Sequence, residues 1–494
     1  MVELIDLMVH EEQLNKTVQR AKERNIIIPT FAQMKDPDLI PDKVKEALKR
    51  TGLWDFDPVN LFRITWKNEP KTQGGGFQKI PNHMVIPREL SGVDATIVAM
   101  AGKFFPTGSH KVGPTLGCLV PALVTGQFDP TYHQAVWPST GNYCRGGAFN
   151  AYLLACDSIA ILPEEMSRER FEWLKQVAGE VFATPGCESN VKEIYDKTWE
   201  LVNTRENVFV FNQFSEFGNP LWHYEVTGHA LQEVLEAVMR QGQSLFASCF
   251  TSGSAGTTHA GEYLKTVYPG AKLAVGEAVQ CTTLINNGFG GHRIEGIGDK
   301  HVPWIHNIRN NDVVVAVDDE DTMAAFRLFN EPEGHDYLRS IGVQEEFLDT
   351  LSWIGISGVA NILMAIKMAR HFELDADDVI VTVLTDSAQM YGSRIEDLRR
   401  EGESYSRVSA AAAHERHILG VRTDHVEELT YATRKRIHNL KYYTWVEQQG
   451  KDVADLDAQW YGAKTYWPRL PEYTEKIDAL INAFNERTGL LKNM

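Results

Sequence analysis

Nine short apolar runs, each bounded by turn-forming residues, alternate with longer amphipathic stretches between residues 95 and 384. Strands that alternate with helical segments are typical of parallel sheets, because a parallel crossover needs a helix to return the chain. Nine strands are more than one sheet of ordinary size usually holds. The pattern therefore predicts an α/β protein with two domains, parallel sheets with helices on both faces, and a cleft between the domains. The predicted strands are 95–101, 134–137, 158–162, 181–184, 208–211, 245–250, 273–275, 313–317 and 379–384.

Both ends of the chain lack this alternation. The first 79 residues show two helical patterns, at 10–23 and 41–51, and the glycine run 74–76 predicts a loosely structured joint. The last segment, 401–494, has mostly helical periodicity and is rich in Tyr and Trp. Those aromatic residues either form the core of a helical appendage or belong to a lid or a dimer contact. The predicted division is an N-terminal extension at 1–79, a large domain at 80–109 and 236–400, a small mobile domain at 110–235, and a mainly helical C-terminal extension at 401–494.

The charge balance excludes some classes of function. The 494 residues include 66 Asp and Glu against 49 Lys and Arg, a formal net charge of −17. An acidic surface argues against general binding to nucleic acid or to anionic membranes. No apolar run approaches the length of a transmembrane helix, and the first residues lack the pattern of a secretory signal. We therefore expect a cytoplasmic enzyme.

Four polar loops follow predicted strands, where ligands bind in α/β sheets. The first, 104–111, ends at Lys111, just before a predicted helix at 112–124. A partly desolvated lysine there has a lowered pKa and can act as an amine nucleophile or base, whereas a solvated lysine would only begin the helix. The second loop contains Ser139, Thr140, Gly141, Asn142 and Tyr143. Its converging donors suit a carboxylate or a phenolic oxygen, or form an ordinary turn that caps the next helix.

The third loop, 251–257, consists of small residues and precedes a predicted helix at 258–266. Small residues and a helix N-terminus together suit a phosphate group. The loop has neither the lysine of a Walker A motif nor the GxGxxG dinucleotide pattern. The fourth loop contains Asp386 and Ser387. A carboxylate would keep a pyridine nitrogen protonated, whereas a hydroxyl would only form a hydrogen bond with it. The positions of Asp386 and Ser387 in the sequence do not show which of the two would meet a ligand.

In this order the loops resemble those of the fold-type II family of pyridoxal-phosphate (PLP) enzymes, which are tryptophan synthase β-like in fold. The closest branch is that of the cysteine synthases and cystathionine β-synthases. The resemblance covers about residues 80–400. Further matching segments are Ser167-Arg168-Glu169-Arg170, Gly179-Glu180-Val181, Thr184-Pro185-Gly186, Asn212-Gln213-Phe214, Asn219-Pro220 with His223 and Thr227-Gly228, residues 292–298 with Pro303, and Gly355-Ile356-Ser357-Gly358.

The resemblance implies a role for each loop. Lys111 corresponds to the catalytic lysine that forms a Schiff base with PLP, Asn142 to the asparagine beside the phenolic oxygen, and Ser387 to the serine at the pyridine nitrogen. The residues that correspond to the phosphate loop are Gly253, Ser254, Ala255, Gly256 and Thr257. The residues that correspond to the substrate-binding set are Ser139, Thr140, Gly141, Asn142, Tyr143, Arg145 and Gln213. No metal site is expected, since His414 and His417 lack the HExxH spacing.

The implied reaction is β-replacement or β-elimination on a small L-amino acid with a Cβ leaving group, of the serine, O-acylserine or cysteine type. It would pass through an aminoacrylate, with Lys111 as the general base. An ammonia-lyase or a threonine synthase-like enzyme is the alternative, and a non-catalytic PLP-binding subunit is a third. The family also implies a homodimer.

Three departures from the family pattern concern the substrate. Tyr143 replaces a small residue, Arg145 adds a charge beside the substrate loop, and neither extension has a counterpart in the short cysteine synthases. Neither a haem-binding segment nor a tandem regulatory module is recognisable. We hypothesise that Arg145 pairs with a distal anion on the substrate; the alternative is a solvated surface arginine.

Overall fold

The computed structural model describes residues 3–139, 141–298, 300–401 and 404–493. In these residues the strands form one seven-stranded and one four-stranded sheet. The strands are β1 (His83–Ile86), β2 (Thr96–Ala101), β3 (Gln134–Pro138), β4 (Asp157–Pro163), β5 (Glu180–Thr184), β6 (Val208–Val210), β7 (Ser244–Thr251), β8 (Lys272–Ala278), β9 (Val313–Val317), β10 (Asp378–Leu384) and β11 (Val426–Glu428).

Helices cover both sheets and make up most of the two extensions. The α-helices are α1 (Glu11–Glu23), α2 (Phe31–Lys35), α3 (Asp42–Leu48), α4 (Arg88–Ser91), α5 (Val112–Val124), α6 (Asn142–Leu153), α7 (Arg168–Val177), α8 (Val191–Thr204), α9 (Gly218–Trp222), α10 (Gly228–Val238), α11 (Thr258–Val267), α12 (Thr283–Asn286), α13 (Asp319–Asn330), α14 (Pro332–Ser340), α15 (Glu345–Leu348), α16 (Ile356–His371), α17 (Gly392–Glu401), α18 (Arg407–His417), α19 (Tyr431–Lys441), α20 (Val453–Tyr461), α21 (Ala463–Tyr466), α22 (Tyr473–Thr488) and α23 (Leu490–Asn493). The 3₁₀-helices are Pro37–Leu39, Pro58–Arg63, Lys71–Gln73, Gly102–Phe104, Pro106–Gly108, Val279–Cys281, Ile308–Asn310, Leu351–Trp353, Ala388–Met390 and Trp467–Arg469, and the π-helices are His223–Thr227 and Tyr442–Gln448. In the part of the chain described, no helix is both long enough and apolar enough to cross a bilayer.

The larger sheet has the order β1-β2-β10-β7-β8-β9-β11. Its five inner strands pair in parallel. They are buried on both faces, which explains their continuous apolar sequences. The predicted α/β fold and all nine predicted strands are confirmed.

Two further strands, β1 and β11, were not predicted; they pair antiparallel at the two edges of the larger sheet. Both are short, and β11 is only partly buried, so neither has the apolar run that marks the inner strands. Since β11 comes from the C-terminal extension, that extension contributes to the sheet as well as to the helical layer.

The smaller sheet is wholly parallel, in the order β5-β4-β3-β6. It is built from residues 134–210, within the segment predicted as the small domain. Parallel strands place their carboxyl ends at one edge, so the loops after β2, β7 and β10 meet at one side of the larger sheet. The loop after β3 meets them from the smaller sheet.

The two extensions bind to each other. The Leu4 amide donates to Tyr473 Oη at 3.1 Å, and the Ile28 amide donates to Asn485 Oδ1 at 3.1 Å. Trp445 and Trp460 are each 1% exposed. These two tryptophans therefore form part of a core, as the first interpretation of the aromatic residues holds.

The glycine run at 74–76 is not a loose joint. The Arg63 guanidinium donates to the Gly75 and Gly76 carbonyl oxygens and to the Leu48 carbonyl oxygen. Arg63 is buried, so it holds the run against α3.

Candidate active site

Lys111 lies where the two sheets meet. The backbone amide of His110 donates to the Thr385 carbonyl oxygen at 3.1 Å, which fixes the lysine loop beside the end of β10. On the other side, α6 approaches so closely that a Cβ at Gly146 would lie 2.8 Å from the Lys111 carbonyl oxygen. The first loop predicted from sequence is thus held between β10 and α6.

Two buried histidines lie beside Lys111. His110 and His223 are 1% and 0% exposed, and their ring centroids are 5.0 Å apart. Burial, with the charge of Lys111, lowers the pKa of His110 well below its usual value, and burial with the neighbouring positive groups does the same for His223. Both rings are therefore neutral at neutral pH and add no positive charge beside the lysine. Sequence reasoning gave no role to His110, although it directly precedes the lysine.

The loop after β10 distinguishes Asp386 from Ser387. Asp386 Oδ2 accepts from Asn142 Nδ2 and from Tyr391 Oη, each at 2.6 Å. Burial raises the pKa of Asp386, and the Arg170 charge and these two donors oppose that rise. Ser387 Oγ, by contrast, is buried without a hydrogen-bond partner among the residues described. The protein thus engages the Asp386 carboxylate through Oδ2 alone, because Asp386 Oδ1 is also buried without a partner among the residues described. The Ser387 hydroxyl makes no hydrogen bond within the described chain and is available to a ligand.

A buried arginine supports this arrangement. Arg170 is fully buried; its Nη1 lies 3.1 Å from Glu295 Oε2, and its Nη2 donates to Tyr391 Oη at 3.0 Å. A Cβ at Gly141, where φ is +151°, would overlap this guanidinium. The chain Arg170–Tyr391–Asp386 therefore fixes the orientation of Asn142. Arg170 belongs to one of the family-like segments of the sequence, but its role depends on contacts that the sequence does not reveal.

The loop after β3 and the loop at 253–257 are connected by hydrogen bonds. Gln213 Nε2 donates to Ser139 Oγ at 2.8 Å. Asn219 Nδ2 donates to the Gln213 carbonyl oxygen at 2.8 Å and to Ser254 Oγ at 3.0 Å. Ser139, Gln213 and Ser254 are thus brought together through Asn219, to which the sequence gave no role. Thr140, also predicted here, lies outside the described residues.

The loop at 253–257 packs closely against neighbouring backbone and side chains. It joins β7 to α11, a helix of ten residues. A Cβ at Gly253 would lie 2.8 Å from the Gly296 carbonyl oxygen, and one at Gly256 would overlap Asn219 Oδ1. Ala255 has a left-handed φ of +62°. A tight loop that ends in a helix N-terminus fits a phosphate group, and the unpaired Ser387 hydroxyl fits a ring nitrogen.

Tyr143 and Arg145 are both buried in packing contacts. The Tyr143 ring packs against Trp137 in the helix–sheet core and is 1% exposed. Arg145 is 3% exposed, with its guanidinium 5.5 Å from the ring of Trp54 and 4.7 Å from that of Trp173. Burial lowers the pKa of Arg145 to about 9. The alternative of a solvated surface arginine is wrong, and the pairing with a substrate anion stays a prediction.

The chain is similar in sequence to known proteins. The family model described as "Pyridoxal-phosphate dependent enzyme" matches residues 88–386, ending one residue before Ser387. A probable cysteine synthase of Bacillus subtilis (strain 168) is 28% identical over 304 residues, which are 61% of this chain and 90% of that protein. Cystathionine beta-synthase of Saccharomyces cerevisiae is 25% identical over 320 residues, 63% of this chain and 60% of that protein.

Solved structures show the same fold. The O-acetylserine dependent cystathionine beta-synthase of Helicobacter pylori has a TM-score of 0.52 and 23% identity, with 64% of this chain and 95% of that one covered. The cysteine synthase of Entamoeba histolytica has a TM-score of 0.55 and 18% identity, with 68% and 93% covered.

Proposed function

Because the chain belongs to the family of pyridoxal-phosphate dependent enzymes, we propose that it catalyses β-replacement or β-elimination on a small L-amino acid with a leaving group at Cβ. Serine, O-acylserine and cysteine are the substrate types proposed. The observation that carries the proposal is the convergence of Lys111, Asn142 and the unpaired Ser387 hydroxyl at the carboxyl ends of the strands. The cysteine synthases among its relatives support the same class of reaction.

Each part of PLP has a residue that would hold it. Lys111 would bind its aldehyde carbon, Asn142 would lie at its phenolic oxygen, and Ser387 Oγ would hydrogen-bond its ring nitrogen. The backbone amides of 253–257 and the start of α11 would hold its phosphate. When bound, PLP supplies an electron sink that acidifies the Cα proton of an amino acid.

Lys111 would act as the base for that proton. An amine must be neutral to accept a proton, and the neutral rings of His110 and His223 add no positive charge beside it. The Ser139 hydroxyl and the Gln213 amide would bind the substrate carboxylate, since both are buried beside the lysine loop.

Ser387 bears on the outcome of the reaction. A hydroxyl at the ring nitrogen does not keep that nitrogen protonated, as a carboxylate would, so the ring takes up less negative charge. Such an environment favours departure of the β leaving group once the Cα proton is removed. The engagement of Asp386 by Asn142 and Tyr391 supports Ser387 as the residue in this position.

The first test is spectroscopic. Purified protein supplied with PLP is expected to show the visible absorbance of PLP joined to a lysine, and Lys111→Ala is expected to abolish it. Lys103→Ala is the matched control, since Lys103 directly precedes the loop at 104–111 and its Nζ lies 3.4 Å from Ser352 Oγ. A colourless wild-type protein, or a lysine-bound spectrum that survives Lys111→Ala, would contradict the proposal.

The second test identifies the reaction. An amino-acid panel, with and without a thiol, is assayed by mass spectrometry of the products. A product with the thiol at Cβ supports replacement. Release of a 2-oxo acid and ammonia from serine or threonine without a thiol dependence would indicate an ammonia-lyase instead.

A further inference from the structure

A second cavity, of about 320 Å³, lies at the seam between α11 and the C-terminal extension. None of the residues proposed to hold PLP or its substrate lines it. Its walls come from one face of α11, from the segment 307–310, and from the turn 463–471. The volume is within the range of small-molecule sites.

The inner end of this cavity has buried polar atoms without partners. His259, Glu262 and Asn307 are 1%, 9% and 5% exposed. Asn307 Nδ2 donates to Glu262 Oε2 at 2.9 Å, but Glu262 Oε1, Asn307 Oδ1 and both His259 ring nitrogens have no hydrogen-bond partner in the described chain. A buried polar group without a hydrogen bond costs about 1–3 kcal/mol of folding free energy. A bound molecule that forms hydrogen bonds with these atoms would remove that cost.

Three of these atoms are acceptors: Glu262 Oε1, Asn307 Oδ1 and one of the two ring nitrogens of His259, whose Nε2 lies 3.7 Å from Glu262 Oε1. Burial lowers the pKa of His259, so its ring is neutral at neutral pH and has a nitrogen lone pair. A glutamate carboxylate, an amide oxygen and a neutral imidazole together match the three donors and the positive charge of an ammonium group.

Two cations also line the cavity. Arg309 and Lys464 are exposed, and Arg309 Nη1 donates to the Trp460 carbonyl oxygen at 2.5 Å. Trp467 and Leu470 are buried and add apolar surface. The lining therefore combines buried acceptors, exposed cations and apolar side chains. We propose that this cavity binds a free L-amino acid, with its ammonium group at Glu262 and its carboxylate at Arg309 and Lys464.

Binding there would act on the cofactor loop. α11 begins directly after 253–257, and Thr258 Oγ1 donates to the Ala255 carbonyl oxygen at 2.7 Å. A ligand held by His259 and Glu262 orders the first two turns of the same helix. This regulatory consequence, though not the binding itself, rests on the proposed function, and coupling of this kind typically changes an affinity by about 5- to 150-fold.

The experiment separates this cavity from the proposed active site. Holoenzyme is treated with borohydride, which reduces the bond between PLP and its lysine and so blocks the active site to amino acids. Isothermal titration calorimetry with the proteinogenic L-amino acids is expected to find one that binds with a stoichiometry of one per chain. If the protein holds no PLP, the reduction changes nothing and the titration still tests the cavity.

Three variants assign the site. Glu262→Gln is expected to weaken binding at least tenfold, whereas Glu475→Gln, an exposed carboxylate on α22, leaves it unchanged. Lys464→Ala changes only an exposed side chain, so the variant is expected to fold. It is expected to weaken binding of the amino acid but not binding of the corresponding amine, which lacks the carboxylate. No heat with any amino acid, or equal binding by wild type, Glu262→Gln and Lys464→Ala, would overturn the proposal. Binding of amine and amino acid with equal affinity would overturn the carboxylate assignment.

Discussion

Substitution of Gly256 by alanine tests how the phosphate loop is tied to the rest of the site. The new Cβ would overlap Asn219 Oδ1, and Asn219 is fully buried. Asn219 cannot give way without losing its hydrogen bonds to the Gln213 carbonyl oxygen and to Ser254 Oγ. Two net hydrogen bonds and the unpaired groups left behind amount to about 2–4 kcal/mol. If the whole of that cost fell on cofactor binding, PLP affinity would drop about 30- to 700-fold.

The assay is a PLP titration of apoprotein followed by tryptophan fluorescence, with circular dichroism to confirm folding. Gly270→Ala is the matched control, because a Cβ there meets no atom within 4 Å. The decisive comparison is a double-mutant cycle with Asn219→Ala. Since the clash is with the Asn219 amide, the double variant is expected to be no worse than Asn219→Ala alone. Additive effects, within about 0.5 kcal/mol, would refute the reasoning.

Three further predictions concern other buried charges. Burial raises the pKa of Glu277 to about 7, so the folded state favours the protonated side chain. This contribution to folding stability is fully present below the pKa of the unfolded chain and is lost as pH rises through about 7. This amounts to about 3 kcal/mol at most, and Glu277→Gln should flatten the fall in melting temperature between pH 5 and pH 8; an unchanged slope would contradict this. Arg170→Met removes the buried cation that Glu188 and Glu295 share, although Glu295 keeps Arg394 as a partner. We expect a loss of about 3–5 kcal/mol in the free energy of unfolding, partly recovered by adding Glu188→Gln; a variant as stable as wild type would refute this. Arg145→Met should lower kcat/KM at least tenfold for substrates with a distal anion and leave neutral substrates unaffected; equal kinetics on both would end the hypothesis of a substrate anion at Arg145.

The inner strands could be predicted from sequence because their burial is visible locally. Parallel strands covered on both faces are continuous apolar runs, and β9 and β10 show this clearly. The helix predicted at 112–124 matches α5 for a related reason, since every one of its residues is buried. The edge strands β1 and β11 depend on pairing with residues far along the chain, so their own residues carry little signal.

The candidate site was predictable in position but not in its internal connections. Loops after strands located Lys111 and the phosphate loop. Whether Asp386 or Ser387 is available to a ligand depends on partners far away in the sequence, such as Asn142, which donates to Asp386 Oδ2. Likewise, Arg145 is covered by Trp54 of the N-terminal extension. Neither contact follows from the spacing of residues within a motif.

The antiparallel pairing of β11 with β9 has a practical consequence for shortened forms of the protein. A chain cut before residue 426 would leave the amides and carbonyls along the outer side of β9 without hydrogen-bond partners. β9 itself consists almost entirely of valine. Bare apolar strands of this kind recruit other chains and aggregate. Insolubility after truncation of the C-terminus would thus result from the exposed edge of β9. The contribution of the last residues to turnover is better measured by point substitutions in an intact chain.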